Sequence, residues 1–207
     1  MASTSSLKRR RNPRQERSRA TVEAILEAAA QVFERHGYAA GTTNRIAERA
    51  GVSIGSLYQY FPNKGAIVVE VMRRHMAEAG EVGQPVLQEL VDQVPPLHDG
   101  LTAIVAAMIA VHERSPRLHR VLSEEAPHPP EILALQRALF DGLGRMIGEY
   151  LAASPEVTVP DPALAGRIVA QVVDAVTHGL VIHPRPGDEP SVYASETVRM
   201  LERYVSG

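Results

Sequence analysis

The residues best suited to binding chemistry lie between positions 42 and 64, in the stretch TTNRIAERAGVSIGSLYQYFPNK. Arg45 and Lys64 carry positive charges that can pair with phosphate groups, and the tyrosine hydroxyls of the stretch can donate hydrogen bonds to the same groups. Asn44 or Gln59 has the amide geometry that reads the N6 and N7 edge of adenine. These side chains suit a surface that binds a nucleic-acid backbone and reaches base edges.

The elements that must position these side chains are two short helices joined by a glycine turn. Thr42 is a good N-cap for the first helix, and Ser53 is a good N-cap for the second. Gly51 permits the left-handed backbone that a tight turn needs. Pro62 ends the second helix, because proline cannot continue a helix interior. The spacing predicts a helix-turn-helix.

The two faces of the second helix have different compositions. Leu57 and Phe61 are predicted to point inward. The other residues are predicted to face largely outward: Ile54, Gly55, Ser56, Tyr58, Gln59 and Tyr60. An ordinary helical hairpin is the alternative, but it gives no reason to expose an isoleucine and two tyrosines together.

Helical periodicity continues on both sides of this stretch. A helix is predicted from about residue 17 to residue 36, and Gly37 follows where a C-terminal glycine belongs. Asn63 can cap a further helix that runs to about Val82. Prolines mark the later breaks, and no convincing strand pattern occurs. The chain is therefore predicted to be all-α, with further helices near 85–94, 98–114, 116–124, 129–153, 161–183 and 190–206.

Charge is distributed unevenly along the chain. Residues 1–64 hold 11 Lys and Arg against 5 Asp and Glu, whereas residues 65–207 hold 11 against 19. A basic front and an acidic rear indicate that only the front meets a polyanion. Residues 1–16 are predicted to be a disordered basic arm that can follow an adjacent minor groove. A solvated tail with no partner is the alternative.

Composition excludes several classes of protein and site. None of the 207 residues is cysteine, so disulfides and thiolate metal sites are excluded. No run approaches the ~20 apolar residues that span a bilayer, and the N-terminus lacks the apolar segment of a secretory signal. A cytoplasmic protein is expected. The absence of a nucleophile elbow and a phosphate loop argues against an enzyme.

The stretch at 42–64, with the preceding helix that ends at Gly37, resembles the DNA-binding domain of the tetracycline-repressor (TetR) family. The resemblance covers about residues 17–80. Beyond it, the chain is similar to the family only in length and helicity. One departure is Gly65, where the family commonly has an acidic helix former. The resemblance implies an N-terminal helix-turn-helix domain over 17–80 and a larger helical ligand-binding and dimerisation domain over 81–207.

The resemblance also implies which side chains meet double-stranded DNA. Tyr60 and Lys64 are implied to be phosphate anchors, and Thr43 is implied to contact phosphate. The complete predicted DNA-binding set is Thr42, Thr43, Asn44, Arg45, Ser53, Ile54, Gly55, Ser56, Tyr58, Gln59, Tyr60 and Lys64. Because one copy has few base readers, useful specificity requires a homodimer on a near-palindrome.

The second domain is implied to dimerise through helices at about 161–183 and 190–206. Small residues on the first of these helices permit close helix approach: Ala163, Gly166, Ala170, Ala175 and Gly179. Apolar area on the last helix comes from Val198, Leu201 and Val205. A four-helix bundle across a two-fold axis is the expected interface, and a purely intramolecular core is the alternative.

The middle helices are implied to enclose a small-molecule effector. Its candidate lining is Ile104, Met108, His112, Leu139, Phe140, Leu143, Ile147 and Val173, each of which can also be plain core. Few aromatic residues lie in this part of the chain, which favours an aliphatic effector. The histidines show no metal-type spacing, and Glu124 with Glu125 is predicted to be a solvated helix end. We therefore predict no metal site and no cofactor.

These features together predict a sequence-specific transcriptional regulator. The expected mode is a repressor that binds a palindromic operator as a dimer and is released by its ligand. A transcriptional activator is the first alternative. An all-helical enzyme or a module that binds a lipid surface through the basic arm are further alternatives, and neither explains the helix-turn-helix.

Overall fold

The structure, a computed structural model, describes residues 16–207, with side chains from Ser18 onward. The basic arm predicted for residues 1–16 lies outside the described residues up to position 15, and Glu16 already belongs to the first helix. No strand occurs between residues 16 and 207, so the all-α prediction is confirmed. The helices are α1 (Glu16–Ala40), α2 (Thr43–Arg49), α3 (Ile54–Tyr60), α4 (Lys64–Gln93), α5 (Leu97–Glu113), α6 (Pro116–Arg120), α7 (Pro130–Ala153), α8 (Pro162–Ile182) and α9 (Pro190–Ser206), with a π-helical turn at Val121–Glu125 after α6.

One predicted helix break is wrong. The sequence indicated a helix to about Val82 and another over 85–94, but α4 runs unbroken to Gln93 with Pro85 in its interior. Proline removes one backbone donor from a helix at a cost of about 3 kcal/mol. Leu87 and Leu90, beyond the proline, are buried in a hydrophobic core, and their burial offsets that cost.

The chain forms two compact units. Of the described residues, unit 1 contains 16–76 together with 117–132, and unit 2 contains 77–116 and 133–207. The core of unit 1 gathers fully buried residues from its N-terminal helices, among them Phe33, Ile46, Leu57 and Phe61. Leu122, in the π-helical turn, packs into the same core. A segment far along the chain thus belongs to the unit that holds α2 and α3.

Unit 2 is a helical bundle in which α5 packs against both α8 and α9. Helix α8 has the length and hydropathy of a membrane span, yet it supplies Val169 and Val173 to the core of this unit. Tyr150 is completely buried there. The core therefore uses the apolar surface of α8 within the chain.

Helices α7 and α8 approach closely at three glycines. A Cβ atom on Gly166 would lie 2.3 Å from the carbonyl oxygen of Gly144 and 2.4 Å from the nitrogen of Gly148. Gly166 was predicted for a contact between two copies, but it serves this internal crossing. Ala170 is likewise buried, whereas Ala175 remains exposed. The apolar residues predicted for the dimer on α9 are also internal core: Val198, Leu201 and Val205.

Candidate functional site

The α2–α3 surface begins with two capped helices, as predicted. The Thr42 hydroxyl accepts a hydrogen bond from the Arg45 nitrogen at 3.4 Å. The Ser53 hydroxyl accepts from the Ser56 nitrogen at 3.1 Å. Each cap satisfies a backbone donor that the helix itself leaves unpaired. These caps fix where α2 and α3 start, and so which side chains stand at their exposed ends.

Gly51 makes the turn between the two helices. Its φ is 67°, a left-handed value that residues with a Cβ adopt at a cost. Nothing lies within 4 Å of the position that a Cβ would occupy. The glycine is therefore needed for its backbone conformation and not for space.

The surface presents most of the predicted DNA-binding side chains to solvent. Ile54 is 38% exposed and Tyr58 is 40% exposed, which is unusual for large apolar groups on an idle surface. Thr43, Ser56 and Lys64 are half-buried. The other exposed members of the set are Thr42, Asn44, Arg45, Ser53, Gly55 and Gln59.

Tyr60 differs from its predicted orientation. It was predicted to face largely outward, but it is only 8% exposed. Its hydroxyl makes a 3.0 Å hydrogen bond with the hydroxyl of Ser18 on α1. Residues three apart on a helix share a face, so Tyr60 follows Leu57 into the core. The inward face of α3 is therefore wider than Leu57 and Phe61 alone.

Two hydrogen bonds hold the exposed side chains in place. The hydroxyls of Thr43 on α2 and Tyr58 on α3 lie 3.1 Å apart. The Arg45 guanidinium donates to the Ala40 carbonyl at 3.1 Å. Slight desolvation, followed by the charges of Arg45 and Arg35, lowers the pKa of the exposed His36 below its ordinary value. Positive charge and fixed hydroxyls thus lie together at one edge of unit 1.

Lys64 is held at the loop that follows the kink of α1 at Gly37, where the backbone is not helical. Its Nζ donates to the Tyr38 carbonyl at 2.7 Å and to the Ala39 carbonyl at 3.3 Å. The ammonium also lies 4.0 Å from the centre of the Tyr38 ring, a cation–π distance. Removal from water lowers the pKa of Lys64. An ammonium has three donors, and two of them hold this loop.

A second contact at the same loop was missed by sequence reasoning. The backbone nitrogen of Tyr38 donates to Oε2 of Glu125 at 2.9 Å. Gly37 has a φ of 75°, and a Cβ there would lie 2.7 Å from the same oxygen. Glu125 is exposed at the end of the π-helical turn, as the prediction of a solvated helix end required, but its contact with Tyr38 was not predicted. The glycine was the available signal, but its partner lies 87 positions away.

Only some of the residues predicted to line the effector pocket lie together in the structure. Ile104, Ile147 and Val173 are buried in the core of unit 2, with Met108 and Leu143 packed against it. His112 is 1% exposed. Leu139 and Phe140 are half-buried and stand outside this cluster. A groove of about 670 Å³ on unit 2 has a different lining: Asp141, Arg145, Gly148, Glu149, Ala152, Pro160, Asp161, Pro162, Ala163 and Arg167.

The histidines of unit 2 are closer together than their spacing in the sequence predicts. The rings of His112 and His178 have centroids 5.7 Å apart, and His178 and His183 have centroids 6.0 Å apart. Nε2 of His112 lies 3.6 Å from Oδ1 of Asp174. The sequence offered one weak signal, since Asp174 and His178 are four residues apart and share a face of α8.

Comparison with known proteins gives the same assignment for both parts of the chain. Residues 25–71 match the model of bacterial regulatory proteins of the tetR family. The HTH-type transcriptional repressor KstR of Rhodococcus jostii (strain RHA1) is 33% identical over 153 residues, which cover 72% of this chain and 66% of that protein. The chain spans between 34% and 64% of the length of the first curated relatives that it matches.

Solved structures share the fold. AibR in complex with isovaleryl coenzyme A and operator DNA has a TM-score of 0.65 at 20% identity, covering 87% of this chain and 97% of that one. FadR from Bacillus subtilis in complex with stearoyl-CoA has a TM-score of 0.65 at 19% identity, covering 86% and 96%. Residues 96–204 match the tetracyclin repressor-like C-terminal domain. With its helix-turn-helix and this second domain, the chain belongs to the tetR family of bacterial transcriptional regulators.

Proposed function

We propose that the chain is a ligand-released repressor that binds a palindromic operator as a homodimer in the cytoplasm. The observation that carries the proposal is the α2–α3 surface. Capped helices fix it, and it exposes amide, hydroxyl and guanidinium groups with Ile54 and Tyr58. Side chains locked before binding lose less conformational entropy on contact with DNA. The proposal assigns binding functions and no catalytic step.

The proposed DNA-binding side chains fall into two groups, those that contact phosphate and those that contact bases. Thr43, Arg45 and Tyr58 suit phosphate contacts, which position the protein without reading sequence. Asn44 and Gln59 suit base edges in the major groove, because their amides donate and accept together. The first turn of α3, with Ile54, Gly55 and Ser56, is narrow enough to enter the groove. The proposal assigns Tyr60 no phosphate contact, the role that the resemblance implied, because its ring lies in the core and its hydroxyl is hydrogen-bonded to Ser18.

Dimerisation is supported by exposed apolar side chains on α8 and α9. On α9, Tyr193, Met200 and Tyr204 recur at seven and four residues and so share one face of the helix. Met200 is 49% exposed and Tyr204 is 41% exposed. On α8, Leu164 is 44% exposed, and a Cβ at Gly179 would meet nothing within 4 Å. This surface suits a second copy, which would place two recognition helices about 34 Å apart.

The effector is proposed to carry an aliphatic chain. The candidate lining in unit 2 is aliphatic in Ile104, Met108, Leu143, Ile147 and Val173. Two proteins of the same fold were solved with isovaleryl coenzyme A and with stearoyl-CoA. A ligand releases DNA only through a higher affinity for the conformer that does not bind DNA. We therefore propose an acyl thioester as the effector class.

The operator proposal is tested by fluorescence anisotropy with the chain's own promoter region. We expect binding that exceeds scrambled DNA and weakens with salt, since affinity falls by about 0.9 log unit per neutralised phosphate per log unit of salt. Gln59→Ala should relax base preference at one position of each half-site. The matched control is Gln88→Ala, an exposed glutamine on α4. Equal affinity for scrambled DNA would contradict the proposal.

Dimerisation and ligand release are tested separately. Met200→Glu places a charge on the exposed stripe of α9 and should shift the protein to monomer in analytical ultracentrifugation. Val192→Glu changes a residue that is 51% exposed but off the stripe, and should leave the dimer intact. Adding isovaleryl-CoA or stearoyl-CoA should release operator DNA, while coenzyme A alone should not. In vitro transcription distinguishes repression from activation.

A further inference from the structure

Unit 1 contains a carboxylate that comes from a distant part of the chain. Residues 117–132 belong to this unit, although the residues before and after them belong to unit 2. The π-helical turn within this inserted segment packs against α1. Its last residue, Glu125, contacts α1 at the kink of Gly37. The inserted segment therefore reaches the stretch of chain just ahead of α2.

Buried neighbours fix the backbone that carries Glu125. Val121 and Leu122 precede it and Ala126 follows it, and all three belong to the core of unit 1. The Ala126 nitrogen donates to the Val121 carbonyl at 3.0 Å, which closes the π-helical turn. Single π-helical turns are rare and are frequent at functional sites. The exposed carboxylate thus extends from a backbone that is held on both sides.

The kink of α1 accommodates this carboxylate. Gly37 has a φ of 75° and a ψ of 171°, a region that glycine occupies almost alone. A Cβ at this position would lie 2.7 Å from Oε2 of Glu125. That oxygen accepts a hydrogen bond from the Tyr38 nitrogen at 2.9 Å. Because the acceptor is ionised, this bond is about twice as strong as a neutral one.

Tyr38 passes the constraint on to the DNA-binding surface. Its carbonyl accepts from Nζ of Lys64 at 2.7 Å, and its ring centre lies 4.0 Å from the same ammonium. Two residues further on, the Ala40 carbonyl accepts from the Thr42 nitrogen at 3.0 Å. Thr42 is the N-cap of α2. The chain held by Glu125 thus leads directly to the start of α2 and to the Lys64 ammonium.

We propose that Glu125 is a positioning residue for operator binding. Its carboxylate holds Tyr38, and Tyr38 in turn places the start of α2 and the Lys64 ammonium for contact with DNA. The inference rests on the proposed operator-binding role of the α2–α3 surface. Through its charge alone, a carboxylate near DNA repels phosphate and weakens binding. Positioning has the opposite sign, so the direction of the change in affinity separates the two effects.

Operator affinity is measured by fluorescence anisotropy with the full chain and its own promoter region. Glu125→Ala should weaken binding by about tenfold, the lower end of the range for a lost hydrogen bond to a charged group. Glu125→Gln keeps an acceptor oxygen and should stay within about threefold, because a neutral hydrogen bond has about half the strength. The matched control is Glu131→Ala, which removes a carboxylate from the same inserted segment. It should bind operator as tightly as the unmodified chain or more tightly.

Two further readouts distinguish positioning from a general loss of stability. Without DNA, hydrogen exchange measured by NMR should become about tenfold faster at the Tyr38 amide of Glu125→Ala, while the core amide of Phe33 keeps its protection. Combined with Lys64→Met, Glu125→Ala should cost less operator affinity than it does alone, because both substitutions act through Tyr38. Circular dichroism checks that each variant is folded.

The outcomes that overturn the proposal are distinct. Unchanged exchange at the Tyr38 amide of Glu125→Ala would show that the carboxylate does not hold this residue. Faster exchange with equal or higher operator affinity would leave Glu125 acting by charge alone and would overturn the positioning role. Failure of the proposed function looks different, since the unmodified chain would then bind its promoter region no better than scrambled DNA. The positioning role would fall with it, whereas the exchange result would still decide whether Glu125 holds Tyr38.

Discussion

The turn between α2 and α3 and the crossing of α7 and α8 both depend on glycine, for opposite physical reasons. Gly51 stands in open space and has a φ of 67°. Gly166 lies within a regular helix, where a Cβ would clash with the backbone of α7 at 2.3 Å. The first glycine is required for a backbone angle and the second for the absence of a side chain. Unit 1 uses glycine to orient a surface, whereas unit 2 uses it to bring two helices together.

This difference decides which substitutions each site tolerates. A residue that accepts a positive φ can replace Gly51, whatever its size, because nothing surrounds it. Any residue with a Cβ is excluded at Gly166, whatever its backbone preference. The two sites therefore respond in opposite ways to asparagine, which tolerates left-handed backbone but is larger than alanine. Substitutions at the two positions separate conformational from steric roles.

The largest effect is expected at Gly166. Gly166→Val should destabilise the protein by about 3 kcal/mol or more, because overpacking costs about 1–3 kcal/mol even where flexible side chains can move, and here backbone atoms are in the way. Thermal and urea denaturation measure the change. The control is Gly83→Ala on α4, where a Cβ meets nothing within 4 Å. That substitution should stabilise the helix by up to about 1 kcal/mol. Equal stabilities for the two variants would refute the close crossing.

A smaller loss is expected at Gly51. Gly51→Ala should cost about 1–2 kcal/mol, the penalty for a Cβ in left-handed backbone, while Gly51→Asn should cost clearly less. The free energy of unfolding in urea tests the order of the two variants. At position 166, Gly166→Asn should be no more stable than Gly166→Ala. If asparagine were no better than alanine at position 51, the role of the positive φ would be wrong.

Local signals in the sequence predicted the conformational role but not the steric one. Thr42, Ser53 and Gly51 were recognised because caps and turns depend on a few neighbouring residues. The prolines placed almost every helix boundary in unit 2 for the same reason. Gly166 was assigned to a contact between copies, because its close partners, Gly144 and Gly148, are defined only by the fold.

In the candidate site, too, features set by neighbouring residues were predicted and contacts between distant residues were not. The outward residues of α3 were predicted from the composition of its two faces, except Tyr60, where the inward face is one residue wider than predicted. Those of α2 were implied by the family resemblance. The contact of Glu125 with Tyr38 and the approach of His112 to Asp174 were missed. Both join residues more than 60 positions apart, and no periodic pattern reports such a pairing. Tertiary packing brings these groups together, so they become visible only with the fold.

Tyr150 gives a third, pH-dependent test of packing in unit 2. Its hydroxyl donates to the Pro95 carbonyl at 3.1 Å, and a Cβ on Gly100 would lie 2.1 Å from that hydroxyl. Burial, then the charges of Glu156 and Asp99, raises the pKa of Tyr150 from 10.0 to about 12. Tyr150→Phe should cost about 1 kcal/mol at neutral pH through the lost hydrogen bond.

The pH dependence has a definite sign. The folded protein holds the Tyr150 proton more tightly than the unfolded chain does, so this contribution to stability is complete below pH 10.0 and is lost as the pH rises toward about 12. In Tyr150→Phe this part of the loss of stability at alkaline pH should be absent. Urea denaturation at several pH values checks the difference between the two proteins. Parallel stability curves across this range would contradict a buried, protonated hydroxyl.

The smallest effect on stability is expected at Lys64, which links loop structure to DNA contact in unit 1. Lys64→Met keeps the aliphatic stem but removes the donors to Tyr38 and Ala39, so it should cost less than about 1 kcal/mol at this half-exposed position. The third donor of the ammonium is available to a phosphate in the proposed complex. The slope of log affinity against log salt should therefore fall by about 0.9 for each copy that loses this contact. The salt dependence of DNA binding by Arg45→Met provides the comparison within the α2–α3 surface. The basic residues around Lys8 lie outside the described residues and stay unchanged in both variants. A lower stability with an unchanged salt slope would assign Lys64 to the loop alone, because the carbonyls of Tyr38 and Ala39 would then be its whole role.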